Sequence, residues 1–300
     1  MDPQSHRVGF DPVVRNVAVF GIAGFCGKHF ERFVANGAFN SHYRFFGFAR
    51  TLTSAEHSGA FTYREGDACD EAAVRDFVSE VKPAYILNLI GVFRAQTYSE
   101  LLSINVGVSQ TICEAVLRSR VPVKNIVLVG SAAEYGRPAR NPVSEDAELR
   151  PVTHYGLSKV YQTLLASYYF RNYRLPVVVA RTFNIVGEGL SSDLSVGNFM
   201  RQLRELSDGG VMKVGNICTR RDFLDIRDVS RRYWHLLMSG AAGEIYNVCS
   251  GSPKTIRSVV EALIRESGKR ISVEADPALF KENDIESIYG DNSKYQRLAQ

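Results

Sequence analysis

The sequence predicts an α/β fold built on a doubly wound parallel sheet, with a smaller α/β lobe at the C-terminal end. Three observations carry that expectation. Short β-branched apolar runs alternate with helix-length stretches up to Thr182. The first run ends in Gly21, Gly24 and Gly27, spaced three apart before a helical stretch. Beyond Thr182 the rhythm breaks into a Gly/Ser-rich loop at 187–197, short strands and turns.

Taken in order, the apolar run before Gly21 reads as a strand and residues 28–36 as a helix. Residues 43–48 form a second strand, 50–59 a polar loop and 61–64 a third strand. Asp70 can cap a helix over 71–81, which Pro83 ends. A buried strand at 84–90, one long amphipathic helix at 99–119 and a strand at 125–129 follow. Thr153 can cap a helix running to 172, and 177–180 is the next strand. Crossover helices between strands imply a parallel sheet covered on both faces. After the break, helices are expected at 198–207, 228–239 and 256–267, with a strand at 244–248. The expected division is therefore 13–183 for the sheet domain and 184–300 for the lobe, folded against the sheet's carboxyl edge, where open α/β sheets take ligands.

Composition narrows the classes. With 36 basic and 32 acidic side chains among 300 residues, the net charge of +4 makes no case for a nucleic-acid or membrane partner. The five cysteines are odd in number, far apart and without Cys-x-x-Cys pairing. That favours free thiols in a reducing cytoplasm, and no metal site is indicated.

In the glycine turn, Gly21 permits the tight bend, Gly24 admits a pyrophosphate close to the backbone, and Gly27 lets helix and strand pack closely. Phosphates would then meet the N–H groups at the positive helix end. An ordinary tight βα turn is the other reading. Tyr155 and Lys159 stand four apart on a predicted helix and share a face. A neighbouring ammonium favours the phenolate, so the spacing predicts a tyrosine pKa lowered towards neutrality. Ser131 follows its strand directly, where it could bond Tyr155 and a substrate oxygen. A Tyr-x-x-x-Lys pair is common on helix surfaces, and it gains meaning only beside the glycine turn and the serine after a strand.

Together these motifs resemble the extended short-chain dehydrogenase/reductase family, nucleotide-sugar branch, and imply its Rossmann-type domain. The resemblance rests on Gly21, Gly24 and Gly27, on Ser131 four residues before Tyr135-Gly136, and on Tyr155-Gly156-Leu157-Ser158-Lys159. It continues through Arg181-Thr182-Phe183-Asn184-Ile185-Val186-Gly187, through 221–229 and through 244–251, so it covers roughly residues 15–295. Lys213-Val214-Gly215-Asn216, Val248-Cys249-Ser250-Gly251 and the run 290–294 are similar to GDP-4-keto-6-deoxy-mannose reductases and their GDP-mannose dehydratase relatives.

The resemblance implies that Tyr155 protonates a carbonyl oxygen, Lys159 holds the nicotinamide ribose, and Ser131 orients the carbonyl. It implies cofactor contacts from Gly21, Gly24, Phe25, Cys26, Gly27, Asp67, Ala68, Leu89 and Thr182. Substrate contacts would come from Ser131, Ala132, Asn184, Val214, Arg221 and Lys281, with Arg221 suited to a diphosphate. Arg50 ends the second strand with no carboxylate near, which suits the 2′-phosphate of NADP better than the 2′-hydroxyl of NAD. Dehydratases of the branch carry a glutamate, and epimerising reductases a cysteine, where this chain has Ala133. The expectation is an NADPH-dependent reduction of a nucleotide-activated 4-keto-6-deoxyhexose. A 4-epimerase that retains NAD, or a non-catalytic NADP-binding regulatory protein, are the alternatives. A homodimer is implied through the helices at 99–119 and 153–172, with Tyr161, Leu164, Leu165 and Tyr168 as its seam.

Overall fold

The computed structural model describes residues 14–37, 39, 42–52, 59–280 and 284–298. In chain order the elements are β1 (Arg15–Phe20), α1 (Phe25–Ala35), β2 (Tyr43–Ala49), β3 (Phe61–Glu65), α2 (Glu71–Val81), β4 (Tyr85–Asn88), α3 (Tyr98–Leu102), α4 (Val108–Ser119), β5 (Asn125–Ser131), α5 (His154–Tyr173) and β6 (Val177–Thr182). After them come β7 (Asn184–Val186), α6 (Ser195–Glu205), β8 (Val211–Val214), β9 (Arg220–Asp225), α7 (Ile226–Ser239), β10 (Ile245–Val248), β11 (Pro253–Thr255), α8 (Ile256–Ser267), β12 (Ser272–Ala275), β13 (Ser287–Ile288) and α9 (Ser293–Leu298).

Seven parallel strands form the main sheet in the order β10-β6-β5-β4-β1-β2-β3. The winding reverses between β1 and β4, which opens a crevice beyond their carboxyl ends. Side chains alternate along β1: Val17 and Val19 join Phe30 of α1 and Val229 and Leu236 of α7 on one face. Ala18 and Phe20 meet Val74 of α2, Ile112 of α4 and Ala166 of α5 on the other. The sheet is thus sealed on both sides, as the alternation of strands and helices predicts.

Several expected boundaries move. Helix α1 starts at Phe25, three residues early, so Gly27 lies inside it. The long helix expected over 99–119 is α3, a five-residue π-helix at Ser103–Gly107, and α4. Helix α6 begins at Ser195, inside the expected loop. Helix α7 begins at Ile226 because Asp225 caps it, accepting from the Arg227 amide. Two elements that follow residue 183 complete the sheet domain: β10 pairs with β6, and α7 packs beneath β1. The remainder, with β7, β9, β11 and β13 in one small sheet and β8 and β12 in another, gathers a second core from Phe199, Leu203, Met212, Val214, Ile256 and Val260.

Candidate functional site

The glycine turn sits at the carboxyl end of β1. Gly21 has φ +82°, a left-handed conformation that favours glycine, and its amide bonds Phe48 O at 2.9 Å. A Cβ on Gly27 would lie 2.3 Å from both Gly21 O and Ile22 O. On Gly24, which is exposed, a Cβ would meet only Gly21 O at 3.3 Å. No side chain caps α1 and its first turn carries no acid, so the helix presents its positive end bare. Phe25 and Cys26 open that helix, and burial pushes the Cys26 thiol up to about 12.

Ser131, Tyr155 and Lys159 come together above the same edge. The Ser131 hydroxyl lies near enough to the Tyr155 phenol to lower its pKa. A single 3-10 turn, Ala132–Glu134, carries Ala132 and Ala133 directly after Ser131, whose hydroxyl also accepts from the Ala133 amide at 3.2 Å. Lys159 is 2 % exposed, and its ammonium donates to Val129 O at 2.9 Å and Gln162 Oε1 at 3.0 Å.

The phenol is not lowered as the Tyr-x-x-x-Lys spacing predicts. Burial outweighs the lowering influence of Ser131 and holds Tyr155 above its usual value. Burial also pulls Lys159 down to about 8, with Glu134 and Cys26 opposing. By the pH at which the phenol would ionise, the lysine has lost the charge that would assist it.

The other expected cofactor positions fall at or just past the carboxyl ends of the strands. Arg50 is exposed just past β2, and Asp67 turns its carboxylate onto the Cys69 amide at 3.0 Å, ahead of buried Ala68. Leu89 continues from β4, its amide on Phe20 O at 3.0 Å. Thr182 ends β6 with its hydroxyl already engaged by Tyr233 at 2.9 Å and Ala180 O at 3.1 Å.

Across the sheet edge, a cleft of about 380 Å³ lies between α6 and the small sheets. Asn184, Asn198, Asn216, Arg221 and Asp284 supply its polar lining, and Phe199 and Leu279 its apolar walls. Arg221 donates to Asp284 Oδ1 at 2.8 Å, and Asn184 is braced on Asp222 O at 2.9 Å. Val214 does not reach the cleft. Alternation along β8 points it inward with Met212, fully buried, and Gly215 and Asn216 take the lining positions. Lys281 lies outside the described residues. Among the described residues no group of three His, Cys, Asp or Glu side chains could hold a metal, and no helix is long and apolar enough to cross a membrane.

Sequence reasoning missed the polar groups that brace this site from below. Asn105, in the π-helix, clasps Val92 through both its N–H and its C=O at 2.8 and 2.9 Å. Gln162 is fully buried behind Lys159. The Glu134 carboxylate accepts from the Ser131 amide at 2.9 Å and from Thr163 Oγ1 at 2.8 Å, and it is fully buried. Asn105 interrupting an otherwise apolar helix face was the one signal available in the sequence.

Residues 17–249 match the NAD dependent epimerase/dehydratase family. The chain belongs to that family. Its sequence is 26% identical over 295 residues to GDP-6-deoxy-D-mannose reductase of Pseudomonas aeruginosa, covering 94% of this chain and 90% of that one. It is also 26% identical over 267 residues to dTDP-6-deoxy-L-talose 4-dehydrogenase (NAD(P)(+)) of Kitasatospora kifunensis, covering 87% and 82%. Among solved structures, RMD of Pseudomonas aeruginosa complexed with NADPH is similar with a TM-score of 0.80, 23% identity and coverage of 95% and 92%. Family membership makes this an enzyme fold of the nucleotide-sugar oxidoreductases and epimerases.

Proposed function

We propose that the protein is an NADPH-dependent reductase of a nucleotide-activated 4-keto-6-deoxyhexose, most consistent with a GDP-linked sugar. The observation that carries the reading is the Tyr155 hydroxyl, close to Ser131 and kept protonated by burial, beside an alanine at 133. A protonated donor without a second acid or base is what ketone reduction needs. Elimination, or epimerisation at C3 and C5, would need a group that Ala133 does not offer.

The crevice fits a nicotinamide dinucleotide, since the uncapped α1 terminus and the bare Cα of Gly24 leave the pyrophosphate a charged, unobstructed seat. When bound, the cofactor supplies the hydride. Tyr155 gives its proton to the carbonyl oxygen, Ser131 holds that oxygen by a hydrogen bond, and Lys159 presents a charge at the ribose side. Arg50 would hold a 2′-phosphate, with Asp67 and Ala68 at the adenine end. In the cleft, Arg221 would exchange its Asp284 partner for diphosphate oxygens. The GDP preference rests on the similarity to the Pseudomonas aeruginosa reductase.

The exposed stripe of Tyr161, Leu164 and Tyr168 on α5, at 42%, 60% and 49%, suits pairing with a second copy of the chain. Leu165 leaves that seam, because it packs on the sheet core. Five unpaired cysteines suit a reducing cytoplasm.

The test is NADPH oxidation against GDP-, dTDP-, UDP- and CDP-4-keto-6-deoxy sugars, with NMR of the product. Stoichiometric oxidation with a 4-hydroxy product is expected. Sugar epimerisation without net cofactor consumption would replace this reading by the epimerase one. Tight NADP binding with no turnover of any keto sugar would favour the regulatory one.

A further inference from the structure

We propose that Gln162 is a positioning residue for Lys159, fixing its ammonium so that one N–H remains directed to the cofactor side of the sheet edge. The inference rests on the reading of Lys159 as a cofactor-side cation.

An ammonium has three donors and no acceptor. Two of those donors meet Val129 O at 2.9 Å and Gln162 Oε1 at 3.0 Å. The third side is bounded by Gly91, where a Cβ would come within 3.1 Å of Nζ. Glycine there keeps the approach from the crevice open.

Gln162 stands three residues after Lys159 on α5, on the same face, and is fully buried. A buried amide is costly unless both ends are bonded. Here both are, and the direction is set by chemistry. Since the ammonium can only donate, the carbonyl oxygen must face it, and Nε2 turns to Ser109 Oγ at 2.8 Å. Ser109 is held in turn by Asn88 Nδ2 at 3.2 Å, and Asn88 Oδ1 receives the Ile90 amide at 3.0 Å. A chain of oriented amides therefore runs from the end of β4 through α4 to the lysine. The arrangement gives Lys159 a neutral acceptor, which steadies the charged form without locking it in an ion pair.

The titratable groups that face Lys159 are Glu134, after β5, and Cys26, on α1. Tyr155 lies one turn earlier on α5, and Arg181 of β6 is already paired with Glu134. None of these changes in the variants below.

The experiment compares wild type with Gln162→Met, which keeps length and bulk but removes the carbonyl, and Gln162→Glu, which places a charge on the acceptor. Lys159 is titrated in the full chain by NMR of 13Cε-labelled lysine, the resonance being assigned by its loss in Lys159→Met. NADPH binding is read separately by fluorescence, and folding by thermal denaturation. Gln162→Met should lower the lysine's midpoint and Gln162→Glu raise it, each by about one pH unit. The Met variant should also bind NADPH about tenfold more weakly. An unchanged midpoint in folded variants overturns the proposal. If Gln162→Met does not fold, the Glu variant alone decides. If the midpoints move as stated but wild type binds no NADPH, the positioning stands and the cofactor reading falls.

Discussion

The Glu134 carboxylate lies 2.9 Å from the Arg181 guanidinium, and both side chains are shut off from water. The same carboxylate receives the Ser131 amide, while Arg181 donates to Tyr135 Oη at 3.0 Å and Tyr135 to Asn247 Oδ1 at 2.7 Å. One buried ion pair thereby ties the ends of β5, β6 and β10 together beneath Ser131. Removing one partner leaves the other charge buried and uncompensated. Glu134→Gln should therefore cost about 3–5 kcal/mol in urea denaturation. The double variant Glu134→Gln/Arg181→Met should be more stable than Glu134→Gln alone, because it removes the orphaned charge. A double variant that is less stable than the single one would contradict this account.

Lys159 links pH to stability. Its folded value of about 8 lies below the 10.5 of an unhindered lysine, so between those limits the unfolded chain binds more protons. Stability then rises with pH across that window, and the burial penalty of the charged lysine is present in full below it. Relative to Lys159→Met, wild type should gain about 3 kcal/mol between pH 8 and 10.5. Paired denaturation curves at intervals across the window check this; a constant difference between the two proteins would refute it.

Tyr155 predicts the shape of the activity profile. Burial keeps the phenol protonated through neutrality, so the proton donor is present throughout. The alkaline fall in rate should instead follow Lys159, with a midpoint near 8. Tyr155→Phe should lower kcat by roughly 100-fold or more and leave NADPH affinity within a few-fold, as measured by turnover and fluorescence titration.

How legible this site was in the sequence depends on what each residue does. The glycines, Ser131, Tyr155 and Lys159 carry local signatures, because turn geometry and helical spacing are written in neighbouring residues. Gln162, Asn105 and Glu134 also reach partners distant in the chain, Gln162 to Ser109, Asn105 to Ser158 at 2.9 Å and Glu134 to Thr163. No local pattern reports such partners, and a polar residue on a helix reads as solvated. The π-helix at Ser103–Gly107 was hidden for a related reason. One extra residue in a turn leaves an apolar periodicity nearly intact, and only the tertiary clasp of Asn105 on Val92 explains it. The pKa of Tyr155 went the other way from the spacing rule because burial depth is a property of the whole fold.

Arg50 sets the cofactor prediction. The guanidinium is exposed just after β2, free to meet a ligand phosphate without first breaking a core contact. Arg50→Ala should weaken NADPH binding about tenfold, the worth of a charge-assisted hydrogen bond, and leave NADH binding unchanged. Equal losses for both dinucleotides would mean that Arg50 does not read the 2′-phosphate.

Gly24 and Gly27 separate folding from binding within one turn. A methyl at Gly27 would be driven to 2.3 Å from two backbone carbonyl oxygens, Gly21 O and Ile22 O, which cannot swing aside as a side chain could. Gly27→Ala should therefore destabilise the protein by about 1–3 kcal/mol or more and lose cofactor binding only as a consequence. Gly24 has φ −77° and ψ 173°, which alanine adopts freely, and its Cβ would meet only Gly21 O at 3.3 Å. Gly24→Ala should melt within a few degrees of wild type. Its methyl would nevertheless stand on the exposed side of the turn, over the bare end of α1, where a pyrophosphate must approach the backbone. NADPH affinity should fall by at least tenfold in that variant while the fold persists. Calorimetry of both variants, with and without NADPH, distinguishes the two effects; a Gly24→Ala protein that binds NADPH as well as wild type would move the pyrophosphate away from this turn.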